Sequence, residues 1–317
     1  MKAVVVQEFG GPEVLRVREV PEPHAGVGEV RIRVHSAPVT PGDALMRSGA
    51  YPFAVAKAPY IFGMDVGGVI DEIGEGSDTG LRVGDRVISP LRPDSEYGGG
   101  YAEYVVTPAS WPVPVPSSWS DVGLTEASTL SMNGLTARHA LDLLALSPGD
   151  TVAITGAAGA VGGFAVQLAK ADGLHVVADA SPTDEALVTS LGADIVVPRG
   201  SDVARQVLRT VPTGVRGAVD AALIGASLSE AILDGGRIAA VRPDATDLPR
   251  GITRENVFAP AYYGTPHLQK LTRQVEDGKL TLRVAQTYAP EHASEAHHRI
   301  ESGGTRGRLV IVFGQAD

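Results

Sequence analysis

Polar and apolar residues alternate strictly through Glu29-Val30-Arg31-Ile32-Arg33-Val34, the period of a half-buried strand that turns one face to a core. Further strand-like runs cover 65–73, 85–89 and 101–106, each bounded by glycine or proline, and short strands so punctuated predict a small barrel. In Trp111-Pro112-Val113-Pro114-Val115-Pro116 every second residue lacks a backbone donor, so the stretch is expected to be an extended linker and not a ladder strand. A domain boundary is placed near residue 118.

Beyond that point the period changes. The pattern over 121–144 is helical, 151–155 is a short apolar run, and Val161, Phe164, Ala165, Leu168 and Ala169 recur at helical spacing before the next strand at 175–178. Strands at 195–197, 217–223 and 236–241 continue the alternation, which predicts a parallel sheet covered by helices. A helix over 293–301 and a strand over 307–313 close the chain, and that strand is expected to rejoin the first domain.

Composition narrows the function. The 317 residues exceed the usual size of one domain, so two cores are expected. A net charge of −10 with no basic run argues against nucleic acid or an anionic membrane as partner. No apolar run is long enough for a membrane span or signal peptide, so cytoplasmic residence is expected. The cysteine count is zero, which removes disulfides, thiolate nucleophiles and cysteine-held zinc.

The run Thr151-Val152-Ala153-Ile154-Thr155-Gly156-Ala157-Ala158-Gly159-Ala160-Val161-Gly162 places small residues between a strand and a helix, where backbone can approach a pyrophosphate. Helix N–H groups and the helix dipole hold an anion there without a charged side chain, although tight helix–strand packing also demands glycine. Gly156, Ala157, Ala158, Gly159, Ala160 and Val161 are therefore candidate cofactor contacts, with Leu223 and Val241 as further ones. His297-His298 is no metal pair, because adjacent helical positions point apart. The 94–100 segment is read as a loop, with a lid as one hypothesis for it.

This glycine-rich run, with Gln167-Leu168-Ala169-Lys170, resembles the cofactor motif of zeta-crystallin-like quinone oxidoreductases, a zinc-independent branch of the medium-chain dehydrogenase/reductases. Similarity extends over essentially the whole chain: residues 43–51, Gly63-Met64-Asp65-Val66-Gly67-Gly68-Val69, Val83-Gly84-Asp85-Arg86-Val87, Gly100-Tyr101-Ala102-Glu103-Tyr104, Leu191-Gly192-Ala193-Asp194 and Gly307-Arg308 all occur in order. The resemblance implies an α/β chain with a GroES-like β domain (residues 1–118 and 284–317) and a Rossmann-type, doubly wound parallel-sheet domain (residues 119–283). It also implies a catalytic cleft at their junction and a homodimer.

In zinc-bearing relatives a cysteine and a Gly-His-Glu motif hold a catalytic metal; here the stretch reads Gly63-Met64-Asp65, so no metal site is expected. Without a Lewis acid, reduction of a quinone or enone is favoured over alcohol oxidation, because its oxyanion is delocalised. The resemblance places Thr40, Asp43 and Tyr51 on the substrate side and Asn133 near the nicotinamide. Tyr51 or Thr40 is expected to donate a hydrogen bond to the developing oxyanion, although Tyr51 could equally pack in a loop and Thr40 could merely cap a turn. Thr40 and Leu45 depart from the family's usual asparagine and tyrosine, which leaves the substrate open. Asp179 sits where an NAD-selecting acid is expected, whereas Ser181 matches a phosphate contact and Arg199 is a substitute one; NADP(H) is favoured and NAD(H) stays open. Two other functions compatible with the same residues are an enoyl reductase acting on a thioester or biosynthetic intermediate, and a non-catalytic, NADPH-binding structural or regulatory protein.

Overall fold

The computed structural model describes residues 1–51, 58–119, 123–264 and 266–314, and its chain divides into two compact units. The first comprises Met1–Met132, Tyr263–Glu276 and Leu282–Asp317; the second comprises Asn133–Tyr262 and Asp277–Thr281.

The first unit opens with β1 (Lys2–Val6), β2 (Arg16–Glu19) and β3 (Glu29–Val39), followed by helix α1 (Pro41–Ser48). Strands β4 (Tyr60–Ile61), β5 (Asp65–Ile73), β6 (Arg86–Pro90), β7 (Tyr104–Pro108) and β8 (Val113–Pro114) complete its first stretch, with helix α2 (Leu124–Ser128) after them. The alternation predicted for 29–34 is present: Val30, Ile32 and Val34 are buried, and the strand runs on to Val39. Irregularities in the β3–β5 register at Arg31/Ile32 and Val34/Ser36 bend β3, so that it pairs with β5 along one edge, β7 along the other and β16 (Arg308–Val312) at its end. Among the described residues the seven-stranded sheet runs in the order β15 (Val284–Tyr288), β16, β3, β5, β6, β8, with β7 paired to β3 off this path, and no pairing of β15 with β8 closes it into the small barrel that short strands suggest. A separate three-stranded sheet, β2-β1-β4, packs its inner positions Val4, Val5 and Val6 into the same core as Ile32, Phe62 and Leu309.

Two further expectations are corrected in this unit. The stretch 111–116 is a ladder strand in part: Val113 pairs with Ile88 and Pro114 with Val87, and Val115 N donates to Arg86 O at 2.8 Å. The prolines at 112, 114 and 116 all fall on one parity, so the missing donors share one edge and the valine N–H groups on the other remain available. The strand expected at 101–106 begins instead at Tyr104, because Gly99 and Tyr101 donate to Ile61 O and Phe62 O first.

The second unit holds α3 (Ser131–Leu144, its first two residues belonging to the first unit), β9 (Thr151–Thr155), α4 (Ala160–Ala171), β10 (His175–Ala180), α5 (Glu185–Ser190), β11 (Ile195–Pro198), α6 (Val203–Thr210), β12 (Val215–Asp220), β13 (Ile232–Ala240) and β14 (Thr253–Asn256). The helix expected over 121–144 is two helices, α2 and α3, separated at Thr129-Leu130, and residues 121 and 122 lie outside the described residues. All six strands are parallel in the order β11-β10-β9-β12-β13-β14, which reverses between β9 and β12, the doubly wound arrangement. Val152, Ala153 and Ile154 are fully buried, as a central strand covered on both faces requires. Helix α7 (His267–Glu276), strand β15 (Val284–Tyr288), helix α8 (Ala293–Glu301) and β16 return the chain to the first unit, where β16 pairs antiparallel with β3.

Candidate active site

The glycine turn sits at the carboxyl end of β9, where the strand order reverses. Gly156 takes φ +67°, and a Cβ there would lie 3.0 Å from the Ala221 carbonyl carbon. At Gly162 a Cβ would stand 2.2 Å from Gly156 O, so these two glycines are required by packing alone. Gly159 is different. It is the N-cap of α4, at φ −72° and ψ −178°, with no side chain to cap the helix, and a Cβ there would meet only Gly156 O, at 3.1 Å. The first turn of α4 thus presents N–H groups that no intrahelical carbonyl can receive, at the positive end of the helix dipole and under a surface kept open by glycine. This cradle fits the pyrophosphate of a dinucleotide.

Around it, Ala157 and Ala158 are buried, and Ala160 and Val161 are half-buried at the head of α4. Asp179, at the end of β10, is turned into the glycine run: its Oδ1 accepts from Ala157 N at 3.1 Å. Burial pushes its carboxyl above the ordinary carboxylate range, against the opposing pull of the Ala157 and Gly156 amides. Ser181 donates to Asp184 Oδ2 and shares a 3.0 Å hydrogen bond with Thr183, and Arg199, just past β11, is exposed. Leu223 is 44% exposed at φ +59°, a conformation costly for a leucine, and Val241 follows β13.

That strain is held by residues the sequence did not single out. Asp220 Oδ1 accepts from Thr155 Oγ1 at 2.8 Å and from Ile224 N at 2.9 Å, while its Oδ2 accepts from Gly225 N at 2.9 Å. Thr155 Oγ1 in turn accepts from Ala222 N at 3.1 Å. An aspartate five positions before a glycine is the available signal for this loop anchor, and it falls inside the expected strand 217–223, which in fact ends at Asp220.

In the first unit, Thr40 is the N-cap of α1 in a complete capping box. Its Oγ1 donates to Asp43 Oδ2 at 2.6 Å and accepts from Asp43 N at 3.0 Å, and Thr40 N donates to the same carboxylate at 2.8 Å. Asp43 Oδ1 accepts from Gly63 N at 2.9 Å, which ties α1 to the Gly63-Met64-Asp65 stretch. Burial raises the Asp43 carboxyl, with the Thr40 and Gly63 donors pulling the other way. Tyr51 lies just beyond the left-handed Gly49 cap and is 43% exposed. Asn133 is buried in the first turn of α3, in the second unit.

Asp65 is fully buried and bound by Arg308, whose Nη2 donates to Oδ2 at 2.9 Å; Met132 N donates to the other oxygen. Burial carries the Asp65 carboxyl up to about 6 even against that arginine. Tyr101 and His297 are also fully buried, with Tyr101 Oη and His297 Nε2 3.3 Å apart, while His298 is exposed, so the two histidines do point apart. Burial, with Arg47 nearby, lowers the His297 imidazole to about 3, so it is neutral.

These residues do not fit a catalytic zinc. The chain has no cysteine, and the described residues contain no group of three or more histidine, aspartate or glutamate side chains able to hold a metal. Met64 presents a thioether, 3.7 Å from Thr40 Oγ1, and the Asp65 carboxylate is already neutralised by Arg308.

A β unit joined in sequence to a doubly wound unit with a glycine turn at its switch point is the arrangement of an oxidoreductase of the medium-chain dehydrogenase/reductase class. Comparison with known proteins agrees. Residues 26–117 match the alcohol dehydrogenase GroES-like domain and residues 191–311 match the zinc-binding dehydrogenase domain. An alcohol dehydrogenase of Geobacillus stearothermophilus is 32% identical, with 98% of this chain and 99% of that protein covered. A quinone oxidoreductase of Rattus norvegicus is 36% identical over 61% of this chain and 57% of its own length. The solved quinone oxidoreductase of Coxiella burnetii superposes with a TM-score of 0.87 at 27% identity, covering 99% of each chain. The chain belongs to the medium-chain dehydrogenase/reductase family and is a quinone oxidoreductase-like member of it.

Proposed function

We propose that this protein is a reductase that uses NADPH in preference to NADH to deliver hydride to a quinone or another conjugated carbonyl, without a metal ion. The observation that carries this reading is the donor set: where zinc chemistry needs soft or imidazole ligands, this chain has Thr40, Met64 and an Asp65 bound to Arg308. Alcohol dehydrogenases stand among its relatives, so this donor set is also what separates the two chemistries. A simple alcohol or ketone needs its alkoxide stabilised by several kcal/mol, roughly what a Lewis acid supplies, whereas a quinone or enone spreads the charge over its conjugated system.

Gly156, Ala157, Ala158, Gly159, Ala160 and Val161 hold the pyrophosphate, with Leu223 and Val241 as apolar contacts and Asn133 beside the nicotinamide. The bound reduced cofactor supplies the hydride. Tyr51 donates a hydrogen bond to the acceptor oxygen as it gains charge, and water supplies the proton that completes the reduction. Thr40 orients this region through its cap. Asp179 is engaged by the turn amides and so presents less of its carboxylate to a ribose, which together with Ser181 and Arg199 supports the choice of NADPH. The same reading takes the working form to be a cytoplasmic homodimer.

A panel of quinones and enones with NADPH and NADH, each with and without a chelator, tests this function. Quinone or enone turnover that favours NADPH and ignores the chelator is expected. Zinc-restored alcohol oxidation of higher efficiency, or no affinity for either nucleotide, would overturn it.

A further inference from the structure

Among the described residues three that are not glycine take a positive φ: Ala145, Leu223 and Arg250. Leu223, at +59°, is the one with a large apolar side chain, and it stays 44% exposed, so burial in a core does not explain the strain. Two residues on, where the left-handed backbone recurs at φ +74°, the chain has Gly225, which adopts it freely. A leucine kept in a conformation that suits glycine points to a use for its side chain outside the core. The loop also lies where a nucleotide binds. Asp220 and Thr155 are register partners on β12 and β9, the strands between which the order reverses, and ligands of doubly wound sheets sit beyond the carboxyl ends of such strands. The carbonyl carbon of Ala221 and the amide nitrogen of Ala222 stand 3.0 and 3.1 Å from where a Gly156 Cβ would be, so the loop packs directly on the glycine turn.

Asp220 and Thr155 supply the restraint. The Asp220 carboxylate receives Ile224 N on Oδ1 and Gly225 N on Oδ2, which fastens the chain on the far side of Leu223. Thr155 Oγ1 receives Ala222 N, which fastens the near side, and gives its own proton to Asp220 Oδ1. Leu223 is thereby clamped between bonded amides at 222 and 224. Asp220 is 2% exposed and Thr155 1%, so both act through the loop and not on a ligand. Each carboxylate oxygen faces a donor, and a carboxamide in its place sets an NH2 against a donor whichever way it turns.

We infer that Asp220 and Thr155 are positioning residues for the dinucleotide: they hold Leu223 in its left-handed conformation so that its side chain stands against the bound nucleotide. This rests on the reading of the glycine turn as the nucleotide cradle. A double-mutant cycle tests it, read by fluorescence titration of the whole chain with the reduced nucleotide that the wild type binds, NADPH or NADH, beside the melting midpoint. Asp220→Asn is expected to weaken binding by about tenfold, and Leu223→Gly alone by about threefold through the lost apolar contact. In the Leu223→Gly background, where a left-handed backbone needs no restraint, Asp220→Asn should weaken binding by less than about threefold. Thr155→Val, which leaves Ala222 N without its acceptor, should repeat the pattern and carries the cycle if Asp220→Asn fails to fold. A residue that only stabilises the fold weakens binding equally in both backgrounds, and that result would overturn the inference. Wild-type affinity in a folded Asp220→Asn or Thr155→Val protein would do the same, as would loss of the fold in both, which assigns the pair to stability alone. A wild type that binds neither nucleotide removes the proposed function together with this inference, whereas equal losses in a wild type that binds remove the inference alone.

Discussion

Thr40 has a single hydroxyl proton, and Asp43 Oδ2 receives it at 2.6 Å, so the proposed reaction assigns the hydrogen bond to the acceptor oxygen to Tyr51, which is 43% exposed. Tyr51→Phe is expected to lower kcat by about tenfold, the effect of one lost hydrogen bond to a charged oxygen, with NADPH affinity unchanged. Steady-state kinetics beside a binding titration checks this, and an unaltered kcat removes the tyrosine from the chemistry. His297 carries a different prediction. Its folded pKa, about 3, lies below the 6.5 of an unstrained imidazole, so the unfolded chain binds the extra proton first and the stability this group contributes is lost as pH falls below 6.5. Between pH 6.5 and 4.5 the wild type should lose on the order of 2 kcal/mol relative to His297→Asn, read from urea unfolding at each pH. Asp65 works in the opposite sense, its raised pKa of about 6 favouring the fold as pH drops toward 4, so the variant comparison and not the wild-type curve isolates the histidine. An identical pH slope in both proteins would contradict the burial of a neutral imidazole.

At the scale of elements, the two kinds of glycine around α4 separate packing from binding. Gly162→Ala puts a methyl 2.2 Å from Gly156 O and should cost about 1–3 kcal/mol by overpacking, seen as a lowered unfolding midpoint. Gly159→Ala sits at an ordinary φ of −72°, with one neighbour at 3.1 Å, and should hold stability within about 1 kcal/mol. Its methyl nevertheless projects where a pyrophosphate must approach, so NADPH affinity is expected to fall about tenfold or more in a fluorescence titration. Wild-type affinity in that variant would move the nucleotide away from this turn. The elements also show what patterns reveal. β5 and α8 have the residues that periodicity assigns them, because their buried apolar positions face one core, and β9 has its expected residues because it is apolar throughout and covered on both faces. β14, Thr253–Asn256, has no apolar signal at all; it is an edge strand defined by its pairing with β13. β8 is hidden for another reason: its pairing depends on which edge its prolines occupy and not on how many there are.

For the whole molecule, each unit has its own core, one drawn from Val4, Ile32, Phe62 and Leu309 and the other from Ala153, Val177, Val207 and Ile238, so each fold was legible from local period. The candidate site was legible only in part. The glycine turn is readable as a candidate because strand, turn and helix are contiguous, and cysteine-held zinc is set aside because the chain has no cysteine. The Asp65–Arg308 pair spans 243 positions and the Tyr101–His297 contact spans 196, separations that no local pattern can encode.

What the chain's own order of residues determined is therefore the change of period after residue 118, the βαβ turn at 156–162 and the absence of zinc ligands of the cysteine type, all of them properties of neighbouring residues or of composition. What only folding decided is which polar groups meet in the interior: that Asp179 turns to Ala157 N, that Thr40 is consumed by its cap, that Arg308 reaches Asp65, and that Thr107 Oγ1 is buried without a hydrogen-bond partner among the described residues. The physical reason is that periodicity specifies which face of an element is buried, whereas the partner of a buried polar atom is chosen by the packing of elements far apart in the chain.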